Sequence, residues 1–163
     1  EEYLLIHKKL KMINKNIEFS SDFIIGYPGE EDEDFEKTMD LINEIKFINS
    51  YSFIYSPRPG TSGANLAVVD NDKTKKRLEI IQKKLFENQL ERNKSLENTV
   101  INVLVENRMK DGVKLFGRTE FMTSVIFDGS EENIGNIVQV KITGSNQNSL
   151  FGILKENYNK RVA

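Results

Sequence analysis

Near residue 94 the spacing of hydrophobic residues changes from long helical periods to short alternating runs. The amphipathic stretches and apolar runs before this point are typical of an α/β fold. The short strand-like runs after it, separated by turn residues, are typical of an all-β fold. We therefore predict two parts, with a boundary near residues 93–96.

The first part contains a strand–helix–strand unit. Strands are predicted at residues 17–26 and 49–55, with a helix at residues 31–45 between them. This connection is long enough to join two parallel strands. The apolar run Phe23–Ile25 favours a strand that is buried on both faces, as in parallel sheets.

Two further helices are predicted, at residues 1–14 and 72–93. We expect His7 in the first of them to be a solvated surface residue. In the second, the basic residues, Arg77 among them, are expected to cover the solvent-exposed face, with contact to RNA as the alternative. Its buried stripe is predicted to consist of Leu78, Ile81 and Leu85.

Two parallel strands are too few for a complete α/β sheet. A (β/α) barrel has eight strands and needs about 250 residues, and parallel strands normally have neighbours. The sequence also begins with Glu1 rather than Met. We therefore expect residues 1–93 to be the C-terminal portion of a larger core, and the chain to be part of a longer protein.

The second part carries five strand-like runs separated by turns that contain glycine. This density of short strands predicts a small β-barrel or sandwich. We place it at residues 94–156 and treat residues 157–163 as a tail. The predicted runs are Val100–Val105, Val113–Gly117, Thr123–Phe127, Ile137–Ile142 and Leu150–Leu154.

The sequence contains no cysteine and only one histidine. This excludes disulfides, thiolate nucleophiles and iron–sulfur ligation by this chain, and leaves little for zinc or Ser–His–Asp chemistry. The net charge is −2, so the overall charge does not indicate nucleic-acid binding. No apolar run is long enough to span a bilayer, and there is no sign of export.

The segment Asp22–Glu30 places a turn of glycine and proline at the carboxyl end of the first strand. Ligands bind at this edge of parallel sheets, and Gly26 and Gly29 would let the backbone approach a ligand closely. The carboxylates that follow would repel phosphate, so this is not a phosphate-binding loop. An ordinary turn between strand and helix is the alternative.

A second turn, Tyr55–Thr61, follows the second strand. Arg58 lies between two prolines, which stiffen the backbone around it. A guanidinium held at the ligand edge of a sheet can pair with a carboxylate or a phosphate. A rigid surface loop with an exposed arginine explains the pattern equally well.

In the second part, Phe116–Phe121 and Asn148–Gly152 combine aromatic, basic and polar residues near predicted turns. Arg118 and Phe121 could clamp and stack single-stranded RNA. Basic and acidic residues nearly balance after residue 94, so packing and turn formation are the alternative.

These segments, in this order, resemble the C-terminal half of the MiaB-type tRNA methylthiotransferases, which are radical-SAM enzymes. Asp22–Glu30 followed by Asp34-Phe35 resembles one family segment, and Ser52–Thr61 resembles a second. Glu91–Asn93 resembles the end of the family's linking helix. Four later segments resemble the terminal TRAM domain of the family. They are Val105-Glu106, Gly117-Arg118-Thr119, Gly135 and Asn148-Ser149-Leu150.

The resemblance implies a partial radical-SAM (β/α) barrel followed by a TRAM domain, an OB-like five-stranded β-barrel. It implies an enzyme that uses S-adenosylmethionine and two [4Fe–4S] clusters to methylthiolate C2 of N6-isopentenyladenosine beside the tRNA anticodon. The TRAM domain would grip the anticodon stem-loop. The full-length protein would be cytoplasmic, monomeric and independent of membranes. The missing N-terminal part would carry the cluster cysteines, so we expect this chain alone to be inactive.

The resemblance also implies two groups of site residues and, in this chain, no catalytic residue and no metal ligand. Residues that would bind the cofactor, as part of its pocket wall, are Gly26, Pro28, Gly29, Glu30 and Tyr55. Residues that would contact the substrate adenosine or the RNA are Arg58, Gly60, Thr61, Arg118, Phe121, Asn148 and Ser149.

One stretch departs from the family pattern, because Phe121-Met-Thr-Ser-Val replaces the more usual Asn-Asn-Arg-Val and so loses a basic contact. The pair Arg58-Pro59 favours the tRNA enzyme over a relative that modifies a ribosomal protein. A relative acting on threonylcarbamoyladenosine can also carry this arginine. A stand-alone RNA-binding module and a purely structural protein are the other hypotheses.

Overall fold

The structure, a computed structural model, describes residues 2–110 and 112–155. The chain forms two compact units, Glu1–Asn88 (unit 1) and Gln89–Ala163 (unit 2). The predicted domain limits stay predictions, and the predicted tail at residues 157–163 lies outside the described residues. Among the described residues, no helix is both long enough and apolar enough to cross a membrane.

Unit 1 contains the predicted strand–helix–strand unit, and its two strands pair in parallel. Ile24 of the first strand lies beside Phe53 of the second. The last helix begins in unit 1 and ends in unit 2. In chain order the elements are α1 (Glu2–Ile13), β1 (Asp22–Ile25), α2 (Asp32–Ile45), β2 (Tyr51–Ile54), a 3₁₀ helix (Ser62–Asn65) and α3 (Asn71–Ser95).

The core of unit 1 lies between one face of the β1–β2 sheet and the apolar stripes of α2 and α3. Residues from β1, α2, α3 and the segment after α2 form one buried cluster. The stripe predicted for α3 is confirmed, because Ile81 and Leu85 are buried and Leu78 packs against them. The buried members of the cluster are Phe23, Ile25, Ile42, Ile45, Phe47, Ile81 and Leu85.

The prediction that β1 is buried on both faces is wrong. Phe23 and Ile25 are buried, whereas Ile24 between them is 58% exposed. Its cross-strand neighbour Phe53 is 54% exposed. The described residues of unit 1 cover only one face of the two-stranded sheet, so burial alternates along β1 instead of being continuous.

The predictions for His7 and Arg77 are also wrong. Both ring nitrogens of His7 are buried, and its ring meets that of Phe19 edge-on at a centroid distance of 4.7 Å. Arg77 is only 4% exposed, and its guanidinium pairs with the carboxylates of Glu30 and Asp32. Helical periodicity does not show which loop packs against a given face of the helix.

Unit 2 contains a closed five-stranded β-barrel, which confirms the predicted strands and selects the barrel over the sandwich. The strand order is β3-β4-β5-β7-β6, with β5 and β7 parallel and the other neighbours antiparallel. Side chains that alternate inward fill a single core. The strands are β3 (Val100–Arg108), β4 (Lys114–Arg118), β5 (Ser124–Asp128), β6 (Ile137–Ser145) and β7 (Ser149–Leu154).

Candidate functional site

In unit 1, the turns after β1 and β2 meet at the carboxyl edge of the parallel sheet. The Tyr55 N–H donates a hydrogen bond of 2.8 Å to the Ile25 carbonyl, which keeps the two chain segments side by side beyond the strands. The rings of Tyr27 and Tyr55 meet edge-on, with 4.9 Å between their centroids. The structure therefore brings Tyr55 next to the loop that carries Gly26–Glu30.

The hydroxyl of Tyr55 is buried and has no hydrogen-bond partner in the described part of the chain. Gly63 of the 3₁₀ helix is buried beside it, and a Cβ at this position would lie 2.6 Å from the Tyr55 hydroxyl and 3.0 Å from that of Tyr27. Only glycine fits there without a rearrangement. A buried hydroxyl without a hydrogen-bond partner costs about 1–3 kcal/mol.

Glu30 braces the loop of which it is part. One carboxylate oxygen accepts a 2.8 Å hydrogen bond from the Gly26 N–H. The other accepts a 2.5 Å hydrogen bond from the Arg77 guanidinium. The side chains of Glu30 and Arg77 are only 11% and 5% exposed. Because both carboxylate oxygens of Glu30 have protein partners, this side chain fixes the conformation of the turn.

Asp32, at the start of α2, extends this ion-pair network to the surface. Its Oδ1 lies 2.6 Å from the Arg77 Nη2 and 2.9 Å from the Lys73 Nζ. The hydrogen bond from Lys73, and then that from Arg77, lowers the pKa of Asp32 below its ordinary value. The guanidinium carbon of Arg77 also lies 5.2 Å from the centre of the Phe35 ring. The acidic start of α2 is thus partly neutralised by basic residues of α3.

Gly26 is required for two independent reasons. Its φ of +74° lies in the left-handed region, which side chains disfavour. A Cβ at this position would also come within 2.6 Å of the Thr74 side chain. Thr74 is itself held by a 2.8 Å hydrogen bond from its hydroxyl to the Asp70 carbonyl. The close approach of α3 to this turn therefore depends on the absence of a side chain.

The other site residues predicted in unit 1 differ in their exposure to solvent. Pro28 is buried, whereas Gly29 is exposed. Arg58, Gly60 and Thr61 are exposed in the turn after β2. The Thr61 hydroxyl donates a 2.8 Å hydrogen bond to the Arg58 carbonyl, which gives this turn a defined shape.

In unit 2, Arg118 lies at the end of β4, just before the turn to β5. Its Nε is 3.2 Å from a Glu106 carboxylate oxygen, and its Nη1 donates a 3.2 Å hydrogen bond to the Met122 carbonyl. The guanidinium also lies 5.4 Å from the centre of the Phe116 ring. Since the side chain is 35% exposed, Arg118 still presents donors to solvent, with part of its charge neutralised.

The turn between β4 and β5 is held by Thr119. Its hydroxyl accepts hydrogen bonds of 3.2 Å from the backbone N–H groups of Phe121 and Thr123. Phe121 is half-buried, and its ring centre lies 5.9 Å from the guanidinium carbon of Arg92 in the last part of α3. This contact places one predicted RNA-facing turn against the end of α3.

The turn between β6 and β7 carries the other two predicted RNA-facing residues. The Asn146 side-chain oxygen accepts hydrogen bonds from the N–H groups of Asn148 (2.9 Å) and Ser149 (2.8 Å). The side-chain amide of Asn93 donates to the carbonyls of Asn146 (2.8 Å) and Gln147 (3.1 Å). The end of α3 therefore contacts both turns, which brings Arg118, Phe121, Asn148 and Ser149 to the same end of the barrel.

The sequence alone did not reveal Tyr27, Gly63 or Arg77 in unit 1, or the roles of Arg92 and Asn93 in unit 2. In the described residues, no group of three or more His, Cys, Asp or Glu side chains could hold a metal ion. The whole sequence contains no cysteine.

The barrel is the part of the chain for which a family model provides a match. Residues 94–155 match the TRAM domain. The match includes all five strands, from β3 to β7, and both turns that approach the end of α3. The TRAM match thus supports the predicted type of barrel. All of unit 1 lies before the matched residues.

Comparisons over the whole chain give relatives that share one name, tRNA-2-methylthio-N(6)-dimethylallyladenosine synthase. The protein from Pelagibacter ubique (strain HTCC1062) is 69% identical over 163 residues, which are 100% of this chain and 36% of the relative. Those from Ruthia magnifica subsp. Calyptogena magnifica and Yersinia pestis (strain Pestoides F) are 48% and 45% identical. Each alignment includes 94% of this chain, and 35% and 33% of the respective relative. The chain spans about a third of the length of these curated relatives.

Proposed function

We propose that the chain is part of a tRNA-2-methylthio-N6-dimethylallyladenosine synthase, a radical-SAM methylthiotransferase. The observation that carries this proposal is the 69% identity, along the entire chain, to a relative of that name. The TRAM match at residues 94–155 supports it, because a tRNA-modifying enzyme needs a surface that binds RNA. The reaction would add a methylthio group to C2 of N6-isopentenyladenosine beside the anticodon.

In this proposal, unit 1 is the last portion of a (β/α) barrel, and further strands of the longer protein continue its sheet. The exposed pair Ile24 and Phe53 supports this view, because apolar side chains that are side by side on a sheet are normally covered. The uncovered face would line the barrel interior. The carboxyl edge of β1 and β2 would then lie at the barrel mouth, where ligands bind in such folds.

S-adenosylmethionine would supply the 5′-deoxyadenosyl radical and the methyl group of the reaction. The buried Tyr55 hydroxyl, which has no partner in the described residues, fits a role as donor to a polar atom of this cofactor. Gly26, Pro28 and Gly29 would provide a pocket wall of backbone and ring atoms. Glu30 would hold that wall in place through its hydrogen bonds to Gly26 and Arg77.

The two [4Fe–4S] clusters of the proposed enzyme do not fit this chain. Cluster iron is normally held by cysteine thiolates, and the sequence has no cysteine. Their ligands would come from another part of the longer protein, so the chain alone would be inactive. Arg58, Gly60 and Thr61, exposed after β2, would face the substrate adenosine or the adjacent RNA backbone.

Unit 2 would bind the anticodon stem-loop through the two turns at the end of the barrel. Arg118 offers charge-assisted donors for phosphate, and Phe121 offers an aromatic ring for a base. Asn148 and Ser149 add polar contacts from the second turn. Because Glu106 already neutralises part of the Arg118 charge, we expect binding to be weak and sensitive to salt.

The activity is tested by expressing the full-length protein in a bacterial strain that lacks its own methylthiotransferase and analysing the tRNA nucleosides by mass spectrometry. We expect 2-methylthio-N6-isopentenyladenosine to appear. Methylthiolation of threonylcarbamoyladenosine alone, or of a ribosomal protein alone, would assign the protein to a related enzyme. No methylthiolated product, from a soluble protein with its clusters in place, would refute the proposed activity.

RNA binding is tested with an anticodon stem-loop and the matched pair Arg118→Ala and Arg108→Ala. Each arginine forms an ion pair with a glutamate, but Arg108 is at the far end of the β3–β4 hairpin from the two turns. We expect Arg118→Ala to weaken binding about fivefold and to reduce its salt dependence by about one counterion. Arg108→Ala should bind like the unchanged protein. Equal effects of the two substitutions would refute the proposed surface.

A further inference from the structure

The last part of α3 is in contact with both turns proposed to face RNA. Arg92 lies against the Phe121 ring, and Asn93 donates to two carbonyls of the β6–β7 turn. Gln89 and Asn93 are one helical turn apart, and both belong to unit 2. This helical segment, residues 89–93, is therefore joined directly to the proposed binding surface.

Asn93 is suited to fix the shape of the β6–β7 turn. It is only 1% exposed, and its amide donates to the Asn146 and Gln147 carbonyls while its oxygen accepts a 3.0 Å hydrogen bond from the Gln89 side chain. A primary amide can serve as donor and acceptor in this way, whereas a carboxylate of the same shape offers only acceptors. An aspartate at this position would place negative charge against two carbonyl oxygens.

The bonds that begin at Asn93 lead directly to the proposed RNA-facing residues. Asn93 holds the carbonyl of Asn146, and the Asn146 side chain holds the N–H groups of Asn148 and Ser149. The Asn146 N–H also donates to the Ser149 carbonyl, at 2.9 Å. A change at Asn93 therefore reaches the backbone of Asn148 and Ser149 without altering either side chain.

Arg92 is placed differently, because it is half-buried and lies beside an aromatic ring. Its Nη1 donates a 3.2 Å hydrogen bond to the Ser95 hydroxyl. A guanidinium next to an aromatic ring can bind a phosphate while the ring stacks on a base. A simpler role is to complement the negative end of the helix dipole, and the two roles differ in their effect on RNA affinity.

We infer that the last part of α3 belongs to the RNA-binding surface, with Arg92 as a direct contact and Asn93 as a positioning residue for the β6–β7 turn. This inference rests on the proposed binding of RNA by unit 2. It extends that surface from the barrel to the helix that precedes it.

The experiment uses the full-length protein, an anticodon stem-loop and four variants. Arg92→Gln removes the charge, and Asn93→Asp removes the donors but keeps the shape. Val140→Ala destabilises the barrel core away from both turns and controls for general loss of stability, while Arg108→Gln controls for loss of a charge elsewhere. Affinity is measured over a range of salt at a temperature where every variant is folded, and hydrogen exchange is followed at the Asn148 and Ser149 amides.

For Asn93→Asp we expect affinity to fall about tenfold, with an unchanged salt slope and faster exchange at Asn148 and Ser149. For Arg92→Gln we expect a fall of about fivefold, a salt slope smaller by about one, and unchanged exchange. Val140→Ala and Arg108→Gln should bind RNA normally. If Asn93→Asp does not fold, Asn93→Ala takes its place, because it removes the donors without adding charge.

The possible failures can be told apart. If the unchanged protein does not bind the stem-loop, the proposed RNA binding fails, and the inference fails with it. If the protein binds but Arg92→Gln binds equally well, the direct contact is wrong. If Asn93→Asp speeds exchange at the turn without weakening binding, or Val140→Ala weakens binding as much, then Asn93 is merely structural and its positioning role is wrong.

Discussion

Units 1 and 2 use their apolar residues in different ways. In unit 2, every strand of the barrel has two neighbours, and the alternating inward side chains form one buried cluster. In unit 1, the two strands pair only with each other in the described part of the chain, and one face of their sheet leaves Ile24 and Phe53 exposed. Closure of the barrel leaves unit 2 without free strand edges, whereas the two-stranded sheet of unit 1 keeps its edges in the described residues.

The contrast extends to polar groups. Unit 1 holds the turn after β1 with a buried ion pair between Arg77 and Glu30, and it also buries the Tyr55 hydroxyl and the His7 ring nitrogens without hydrogen-bond partners in the described residues. Unit 2 holds its turns with side-chain amide and hydroxyl hydrogen bonds, from residues such as Asn93 and Thr119. The turns of unit 2 are thus held by hydrogen bonds from uncharged side chains, whereas the turn after β1 in unit 1 is held by an ion pair.

The largest expected effect compares two phenylalanines. Phe127 is 1% exposed in the barrel core, and Phe127→Ala should destabilise unit 2 by about 3–5 kcal/mol. Phe53→Ala should cost less than about 1 kcal/mol in the 163-residue chain, because its side chain is largely in solvent already. Denaturant unfolding, followed by hydrogen exchange in each unit, measures both.

The same pair of variants in the full-length protein sharpens the comparison. If further strands cover the β1–β2 sheet, as we propose, Phe53→Ala should cost several times more there than in the 163-residue chain. The cost of Phe127→Ala should not change. An equal, small cost of Phe53→Ala in both proteins would mean that the face of Ile24 and Phe53 is open in the complete molecule too.

The next largest effect concerns the ion pair of unit 1. Arg77→Met leaves the carboxylate of Glu30 buried without its partner, and should destabilise unit 1 by about 3 kcal/mol. Lys76→Met, at the adjacent and exposed position, is the matched control and should change stability by less than about 0.5 kcal/mol. Tyrosine fluorescence follows unit 1, because the chain has no tryptophan and four tyrosines lie in unit 1. A similarly small loss of stability in both variants would contradict a stabilising role of the Arg77–Glu30 ion pair.

A smaller effect is expected at the turn after β1. Gly26→Ala should cost about 1–3 kcal/mol, since alanine disfavours a φ of +74° and its Cβ would meet Thr74. Adding Thr74→Ala should recover the part due to the contact but not the part due to the backbone. The double-mutant cycle separates the two parts. If the free-energy changes of the two substitutions are additive, a Cβ at position 26 does not clash with the Thr74 side chain of α3.

The smallest effect is a pH dependence from Asp32. Because the folded state lowers the pKa of Asp32, ionised Asp32 stabilises unit 1 above its ordinary pKa, and this contribution is lost as the pH falls through the lowered value. Asp32→Asn should therefore be less stable than the unchanged chain at neutral pH, with a gap that closes in acid. Glu33→Gln, in the same helical turn, is the control. Acid titrations of stability measure the gap, and a gap that widens in acid would contradict the assignment.

Much of the fold could be predicted because each element carries its own local pattern. The strands of the barrel were predicted from alternating runs and turns, and α2 and α3 from helical periods. The exposed face of β1 was mispredicted, since the run Phe23–Ile25 has no alternation and burial depends on what covers the sheet. The parallel pairing of β5 with β7 has no local signal at all, because it depends on how the barrel closes.

The site was less predictable for the same physical reason. The turns were located from glycine, proline and aromatic residues, but the groups that hold them are distant in sequence. Arg77 is 47 residues from Glu30, and Asn93 is 53 residues from Asn146. Each looks like an ordinary polar residue of a helix until the turn it supports is placed beside it.

The most direct measurement is a hydrogen-exchange footprint of an anticodon stem-loop on the full-length protein. We expect RNA to slow exchange in the two turns of unit 2, residues 118–123 and 146–149, and at the end of α3, residues 91–93. The turn between β3 and β4, at the opposite end of the barrel, should not change. Slower exchange at that turn, with none at the three predicted segments, would contradict the proposed surface.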